Sequence, residues 1–527
     1  MSLDLPIPHI DLPEPELQQH FDALQSKLVP LWRAIESLDD EGEQTIVAVP
    51  SLTVDFAALR GSVLQAYEER FLFLLLLLRQ PRARLIYITS QPIQPNVIDY
   101  YLGLLPGVVP SHARRRLTLL APQDGAPQPL SIKLLQRPRM LERIRRAIPD
   151  PSRAHLVPFN TTRHERDLAL RLGIPMYGAD PRHLHLGTKS GCRKLFRRSG
   201  MLLPHGFEDL RSRDDVVRAL QTLKREHPDV AQAMVKHDDG VSGEGNAVVD
   251  LRDVDAASRA AIDERVSAMR LEAKHLDVDG FLDKLAEQGG IVEERVRGSE
   301  IESPSVQLRV TPLGEVELLS THDQLLGGAE RQKYEGCVFP ASERYAIDIA
   351  REAAKASEEL VRLGVLGRYA IDFVCARDAG ETRGAGDAPW RSYAIELNLR
   401  KGGTTHPYLT LQFLTDGRYD ADKGSFEGRD GRAKFYVATD AISRRDYRAF
   451  TPDDLFDVAV RHRLHFDQTR QRGVVFHMMS AIGDHGRLGM TAIGDSRDDA
   501  RALYEQMQRV LDDEAAKALR PAAFPQQ

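Results

Sequence analysis

Glu396 and Asn398 lie two residues apart in the segment Tyr393-Ala394-Ile395-Glu396-Leu397-Asn398-Leu399-Arg400-Lys401-Gly402-Gly403. Read as a strand, the segment puts Glu396 and Asn398 on one face and Leu397 and Leu399 on the other, because strand side chains alternate. A carboxylate beside an amide oxygen is a hard-oxygen pair that suits Mg²⁺ better than zinc. Arg400 extends the polar face, and Gly402-Gly403 lets backbone approach a ligand closely. Metal and phosphate chemistry is the expectation for this segment.

The elements that must position it are legible by periodicity. Residues 45–50, 85–89, 117–120 and 155–159 read as short buried strands, with helices at 64–78 and 130–147 between them and a helical stretch at 17–38 ahead. Strands alternating with helices predict a parallel, doubly wound sheet. No GxGxxG follows the first strand, which disfavours a dinucleotide site. From Thr188 the character changes: 189–199 and 214–224 read as helices, and 233–236 and 247–250 as strands around the glycine-rich loop 240–246. Strand, loop, strand is a hairpin order, not the strand, loop, helix of a Walker A site. Strands at 291–296, 305–310, 316–320 and 369–375 follow, with a helix at 346–363 and a Gly/Asp/Ala-rich insert at 377–389. From about 431, strands at 435–440, 474–480 and 487–494 with helices at 453–460 and 497–515 make a further α/β unit.

Composition bounds the function. A chain of 527 residues is too long for one core and implies two to four domains. A net charge of -6 gives no general attraction to nucleic acid or anionic membranes. The clusters Arg114-Arg115-Arg116 and Arg143-Ile144-Arg145-Arg146 are short and read as solvated faces. Cys192, Cys337 and Cys375 form no CxxC pair, which predicts a reducing compartment without structural zinc. The longest apolar run, 71–78, is far below the ~20 residues that span a bilayer. The acidic, proline-rich start predicts no signal peptide, so the expected setting is cytoplasmic.

Taken together, Gly187-Thr188-Lys189, Lys236 before the glycine loop, the charged segment 293–300, Asp372 and the Glu396/Asn398 strand resemble the ATP-grasp superfamily over roughly residues 186–415. The unit before it looks like the domain that usually precedes an ATP-grasp fold. The stretch 399–407 and the C-terminal unit look most like the peptide ligases related to the pheganomycin enzyme. The fold expected is therefore α/β: a helical extension (1–42), a Rossmann-like pre-ATP-grasp domain (43–185), a two-lobed ATP-grasp domain (186–430, lobes about 186–290 and 291–430) and a C-terminal α/β domain (431–527).

The resemblance also implies roles. Lys189 and Lys236 match phosphate-binding lysines, and a lysine offers a point charge that needs no planar geometry. Gly243, Glu244 and Gly245 lie in the loop that covers the phosphates, whose N–H groups can line an anion. Glu293, Glu294 and Val296 match the adenine-binding link, and Glu300 the ribose ligand. Asp372, Glu396 and Asn398 match a metal trio for two Mg²⁺ ions, with Mn²⁺ as a substitute. Arg309 and Arg400 are expected to stabilise charge at the reacting carbonyl, and His406 to orient a substrate or accept a proton. His322-Asp323 is placed near the acceptor site, and His477 in a core or domain interface. The implied reaction joins a small-molecule or peptide carboxylate to an amine through an acyl phosphate with ATP, in natural-product biosynthesis, without nucleic acid or membrane. The C-terminal unit could cap the site, select the acceptor or mediate a homodimer. The residues alone also fit an ATP-grasp small-molecule kinase or a non-catalytic nucleotide-binding scaffold.

Overall fold

The computed structural model describes residues 6–520 except 9, 38, 53–61, 241–242, 244, 274, 329–332 and 379–388. The first sheet is parallel, with strand order Leu117–Leu120, Ala83–Ile88, Gln44–Val49, Ala154–Pro158. Of its two central strands, Gln44–Val49 is apolar on both faces over Val47–Val49, as helices on both sides of a parallel sheet require. Val47 and Val49 meet Phe21 of the N-terminal helix Glu14–Gln25 in one core, and Ala48 joins the other. The region expected as one helix at 64–78 is an α-helix, Ser62–Glu69, that continues as a tighter 3₁₀ helix, Arg70–Arg79, buried almost all round. The helix expected at 130–147 divides into Leu130–Leu135 and Pro138–Ala147, because Pro138 cannot continue a helix and instead starts one.

A second, five-stranded antiparallel sheet has the order Gly206–Leu210, Gly290–Glu294, Gln232–His237, Asn246–Asp250, Arg270–Leu271. Lys236 pairs with Asn246 across the hairpin that the glycine loop closes. Helices Arg213–Glu226, Arg259–Ser267 and Val278–Gln288 bury Leu220, Ile262 and Phe281 in the core beside it.

The third sheet is the largest, with nine strands. Gly367–Arg377 lies in one half of it, flanked by Glu300–Glu302 and Pro304–Val310, and Arg391–Asn398 also pairs with it. Val316–Gly327 and Lys333–Phe339 continue the sheet. The C-terminal strands do not form a sheet of their own. Phe435–Ser443 pairs antiparallel with Lys333–Phe339, and Arg487–Gly494 and Gly473–His477 follow outward. The long helix Arg497–Ala518 covers this end through Leu503, Met507 and Leu511. Among the described residues no helix is long and apolar enough to cross a membrane.

Candidate active site

A cavity of about 620 Å³ opens between the second and third sheets. That volume falls within the ~300–1,000 Å³ usual for a small-molecule site. Lys236 and the segment Glu293–Val296 line it from the second sheet, and Asp372, Glu396 and Asn398 from the third.

The metal-type trio follows from register. Asp372 is the cross-strand partner of Glu396, and Ala370 of Asn398, so the three polar side chains share one face of adjacent strands. Leu397 points the other way into a core with Ile371 and Phe373. Asn398 Nδ2 donates to Asp372 Oδ2 at 3.1 Å. Burial, and then the neighbouring Glu396 charge, push the Asp372 carboxyl up to about 6 despite a hydrogen bond from Ser305. Burial also pushes Glu396 up, but Lys189 outweighs it and holds that carboxyl below its ordinary value. Two carboxylates and an amide oxygen thus lie together, with Lys189 paired to one of them. A divalent oxygen-seeking cation fits that donor set.

Lys189 opens helix Lys189–Arg198, with Thr188 as its N-cap. A cation there opposes the helix dipole, and Glu396 answers it: Nζ lies 2.5 Å from Oε1. Burial works against the Lys189 ammonium, yet Glu396 outweighs it and raises the lysine above its ordinary value. Lys236 Nζ lies 2.6 Å from Glu293, which also takes Arg193 at 2.6 Å. Glu293 is 2% exposed. Burial alone would raise it, and the two cations reverse the sign. Its role is to hold Lys236 at the cavity wall.

Val296 and Glu294 line the cavity at the link between sheets, and the two residues are tied differently to their surroundings. Glu294 exchanges two hydrogen bonds with His205, its N–H donating at 2.7 Å and its carboxylate accepting at 2.9 Å. Gly240 and Gly243 reach the cavity, and Gly243 holds φ +80, a left-handed conformation that favours glycine. Gly245 closes the same loop, and a Cβ there would crowd His237. Glu244 lies outside the described residues.

Several expected residues are placed elsewhere. Arg309 is not at the cavity: Glu317 holds it with two bonds of 2.8 and 2.9 Å, and it lies over Trp32. It shares a face with Ser305, which does line the cavity, but sits four residues, about 13 Å, farther along the strand. Glu300 is directly opposite Arg377, which takes its carboxylate at 2.6 Å; the neighbouring Glu302 lines the cavity instead. His406 does not reach the cavity surface. It is buried against His477, and burial drives it down to about 3, so the ring is neutral. His322 is buried and bonded to Tyr436 at 2.7 Å, and Asp323 holds Tyr345 and Arg497; neither lines the cavity. Arg400 does line the cavity, with the Glu396 and Asp372 charges offsetting part of the downward push from its burial.

The other end of the cavity holds residues that spacing did not reveal. Arg70 and Tyr67 come from the first unit, and Asp440 and Arg487 from the C-terminal strands. Arg70 Nη1 reaches Asp440 Oδ2 at 2.5 Å across 370 residues of chain. No local pattern carries such a pairing. The only hint was the polar Arg70 heading an otherwise apolar run.

Comparison with known proteins follows the same outline. The family model described as "IQCH-like, ATP-grasp" matches residues 182–277 and 265–421, and the PGM1 C-terminal domain matches residues 454–507. The L-propargylglycine–L-glutamate ligase of Streptantibioticus cattleyicolor is 32% identical over 453 residues, covering 84% of this chain and 89% of that protein. IQ motif-containing protein H of Danio rerio is 24% identical over 432 residues, covering 72% of this chain but 39% of that protein. Among solved structures, the biotin carboxylase–β-γ-ATP complex from Campylobacter jejuni has a TM-score of 0.52 at 12% identity, covering 91% of this chain and 95% of that one. N5-carboxyaminoimidazole synthetase from Staphylococcus aureus complexed with ADP has a TM-score of 0.50 at 10% identity, covering 89% and 97%.

Proposed function

This chain belongs to the ATP-grasp family, and we propose from that premise that it is an ATP-dependent carboxylate–amine ligase. The observation that carries the reading is the placement of Lys236 and Lys189 beside Asp372, Glu396 and Asn398 in one cavity between two sheets. Amino acids or peptides are the proposed substrates, a reading supported by the name of the 32% identical ligase.

The two lysines hold the phosphates as point charges, and Val296 with the backbone of Glu294 receives the adenine edge. Asp372, Glu396 and Asn398 would hold Mg²⁺, two ions in this reading with Mn²⁺ as a substitute, which neutralises charge on the transferring phosphoryl group. A substrate carboxylate oxygen attacks the γ-phosphorus and ADP leaves. The amine nitrogen then attacks the carbonyl carbon of the acyl phosphate, the C–O bond to phosphate breaks, and the amine gives up a proton. Arg400, at the cavity wall beside the trio, is the cation placed to stabilise the oxyanion formed on the way. The protein supplies position and preorganised charge, and Gly240 and Gly243 belong to a loop suited to closing over the phosphates.

The test is an ADP-release screen over paired acids and amines with mass detection. ADP release that requires both partners, with a product at the sum of their masses less water, is expected. ADP formed with acid alone and a stable phosphorylated product would make the protein a kinase. Tight ATP binding without turnover across the panel would make it a nucleotide-binding scaffold.

A further inference from the structure

Three side chains behind the inner end of the cavity bring two imidazole nitrogens and a carboxylate oxygen together. His406 Nε2 lies 3.0 Å from His477 Nε2. Asp440 Oδ1 lies 2.7 Å from His477 Nε2 and 3.2 Å from His406 Nε2. They come from three elements: helix Thr405–Thr415, strand Phe435–Ser443 and the end of strand Gly473–His477. All three are buried.

A neutral imidazole carries one N–H, on one nitrogen or the other. If both Nε2 atoms are protonated, two hydrogens point at one carboxylate oxygen from nitrogens 3.0 Å apart. If only His477 Nε2 is protonated, the His406 lone pair faces the carboxylate, and its proton sits on Nδ1, which is buried without a hydrogen-bond partner. In the first assignment Oδ1 accepts both N–H groups and His406 Nδ1 is left a buried acceptor without a partner; in the second the His406 lone pair opposes the carboxylate. A cation engages all three converging atoms at once, since each offers a lone pair to a common centre. The three separations also approach the ~3.3 Å edge of a tetrahedron with metal–ligand bonds of about 2.0 Å.

The surroundings support such a centre. A Cβ at Gly489 would lie 2.1 Å from His477 Nε2, so the bare glycine lets the ring occupy its place. Arg70 holds the other oxygen of Asp440, which turns Oδ1 toward the histidines, as an outer partner orients a ligating carboxylate. Glu69, accepting from the N–H groups of Met479 and Ser480, brings a second buried carboxylate near the end of the histidine strand.

We propose that His406, His477 and Asp440 form a binding site for a zinc-class divalent transition ion, separate from the Asp372/Glu396/Asn398 trio. Two imidazoles and one carboxylate select such an ion over Mg²⁺. Paired cysteines, whose absence argues against zinc in the sequence, are not needed for a His₂Asp set. Asp440 lines the cavity and the histidines stand behind it. The ion therefore pins helix Thr405–Thr415 to the C-terminal strands and fixes Asp440 and Arg70 at the substrate end.

Elemental analysis of the full chain, loaded with Zn²⁺ and then gel-filtered without chelator, tests this. About one ion per chain is expected, falling at least fivefold in His477→Gln and in His406→Gln and unchanged in Arg309→Ala. Chelator-stripped wild-type protein refilled with Co²⁺ should show the visible bands of a low-coordinate site, a reading that needs no variant. Less than a tenth of an ion per chain after Zn²⁺ loading would overturn the proposal. So would full occupancy in both histidine variants, or a Co²⁺ spectrum no different from the free aqua ion.

Discussion

Lys189 Nζ and Glu396 Oε1 lie 2.5 Å apart, joining the start of helix Lys189–Arg198 to strand Arg391–Asn398. The same contact neutralises a cation at a helix N-terminus and lowers the proton affinity of a carboxylate in the metal-type trio. Replacing Lys189 with Met should lower kcat/KM for ADP release by about 100- to 1,000-fold, the usual loss when one preorganised charge is removed. Circular dichroism should remain that of the wild type. Near-normal turnover would remove Lys189 from the phosphate site.

Asp372 belongs to the same face as Glu396, and burial, then the Glu396 charge, lift its carboxyl. Asp372→Asn removes one anionic ligand. The Mg²⁺ concentration for half-maximal ADP release should rise at least ~10-fold. An unchanged Mg²⁺ titration would place the ion elsewhere.

Arg309 and Arg400 separate a structural guanidinium from one at the cavity. Arg309→Ala should leave ADP release within about threefold of wild type, because its pairing with Glu317 is partly exposed and such pairs contribute little. Arg400→Ala should lower amide formation at least ~100-fold. Equal losses in both variants would contradict the distinction.

Glu302, not Glu300, faces the cavity. Glu302→Gln should raise KM for ATP by roughly 3- to 10-fold with kcat little changed, the pattern of lost uniform binding. Glu300→Gln, which removes one partner of Arg377 and of Arg344, should leave KM unchanged. The reverse result would restore Glu300 as the nucleotide ligand.

Glu68 is buried, and burial pushes its carboxyl from 4.5 to about 7, with Ser90 and Lys133 offsetting only part. The folded state therefore binds this proton more tightly than the unfolded chain. The stabilisation is complete below pH 4.5 and lost as pH rises through about 7. The loss amounts to roughly 3 kcal/mol at about pH 8. Denaturant midpoints of wild type should fall from about pH 5 to pH 8, and Glu68→Gln should flatten that slope. Parallel slopes in the two proteins would exclude Glu68 as the cause.

By itself the sequence determined what short-range rules govern. Period-two alternation put Glu396 and Asn398 on one face, and a hairpin around glycines put Lys236 at a strand end; both are properties of a few consecutive residues. Which strand faces which cavity depends on pairing between distant segments. Arg309 lies on the correct face of its strand but four residues too far along, and Glu300 is captured by the arginine directly across from it. The C-terminal strands read locally as a separate unit, yet they extend the sheet through Lys333–Phe339 because an edge strand there offers unpaired backbone groups. Arg70, Asp440, His406 and His477 meet only because four remote elements pack against one another. Their contact is decided by tertiary burial, where charge must find a partner, and no spacing along the chain encodes it.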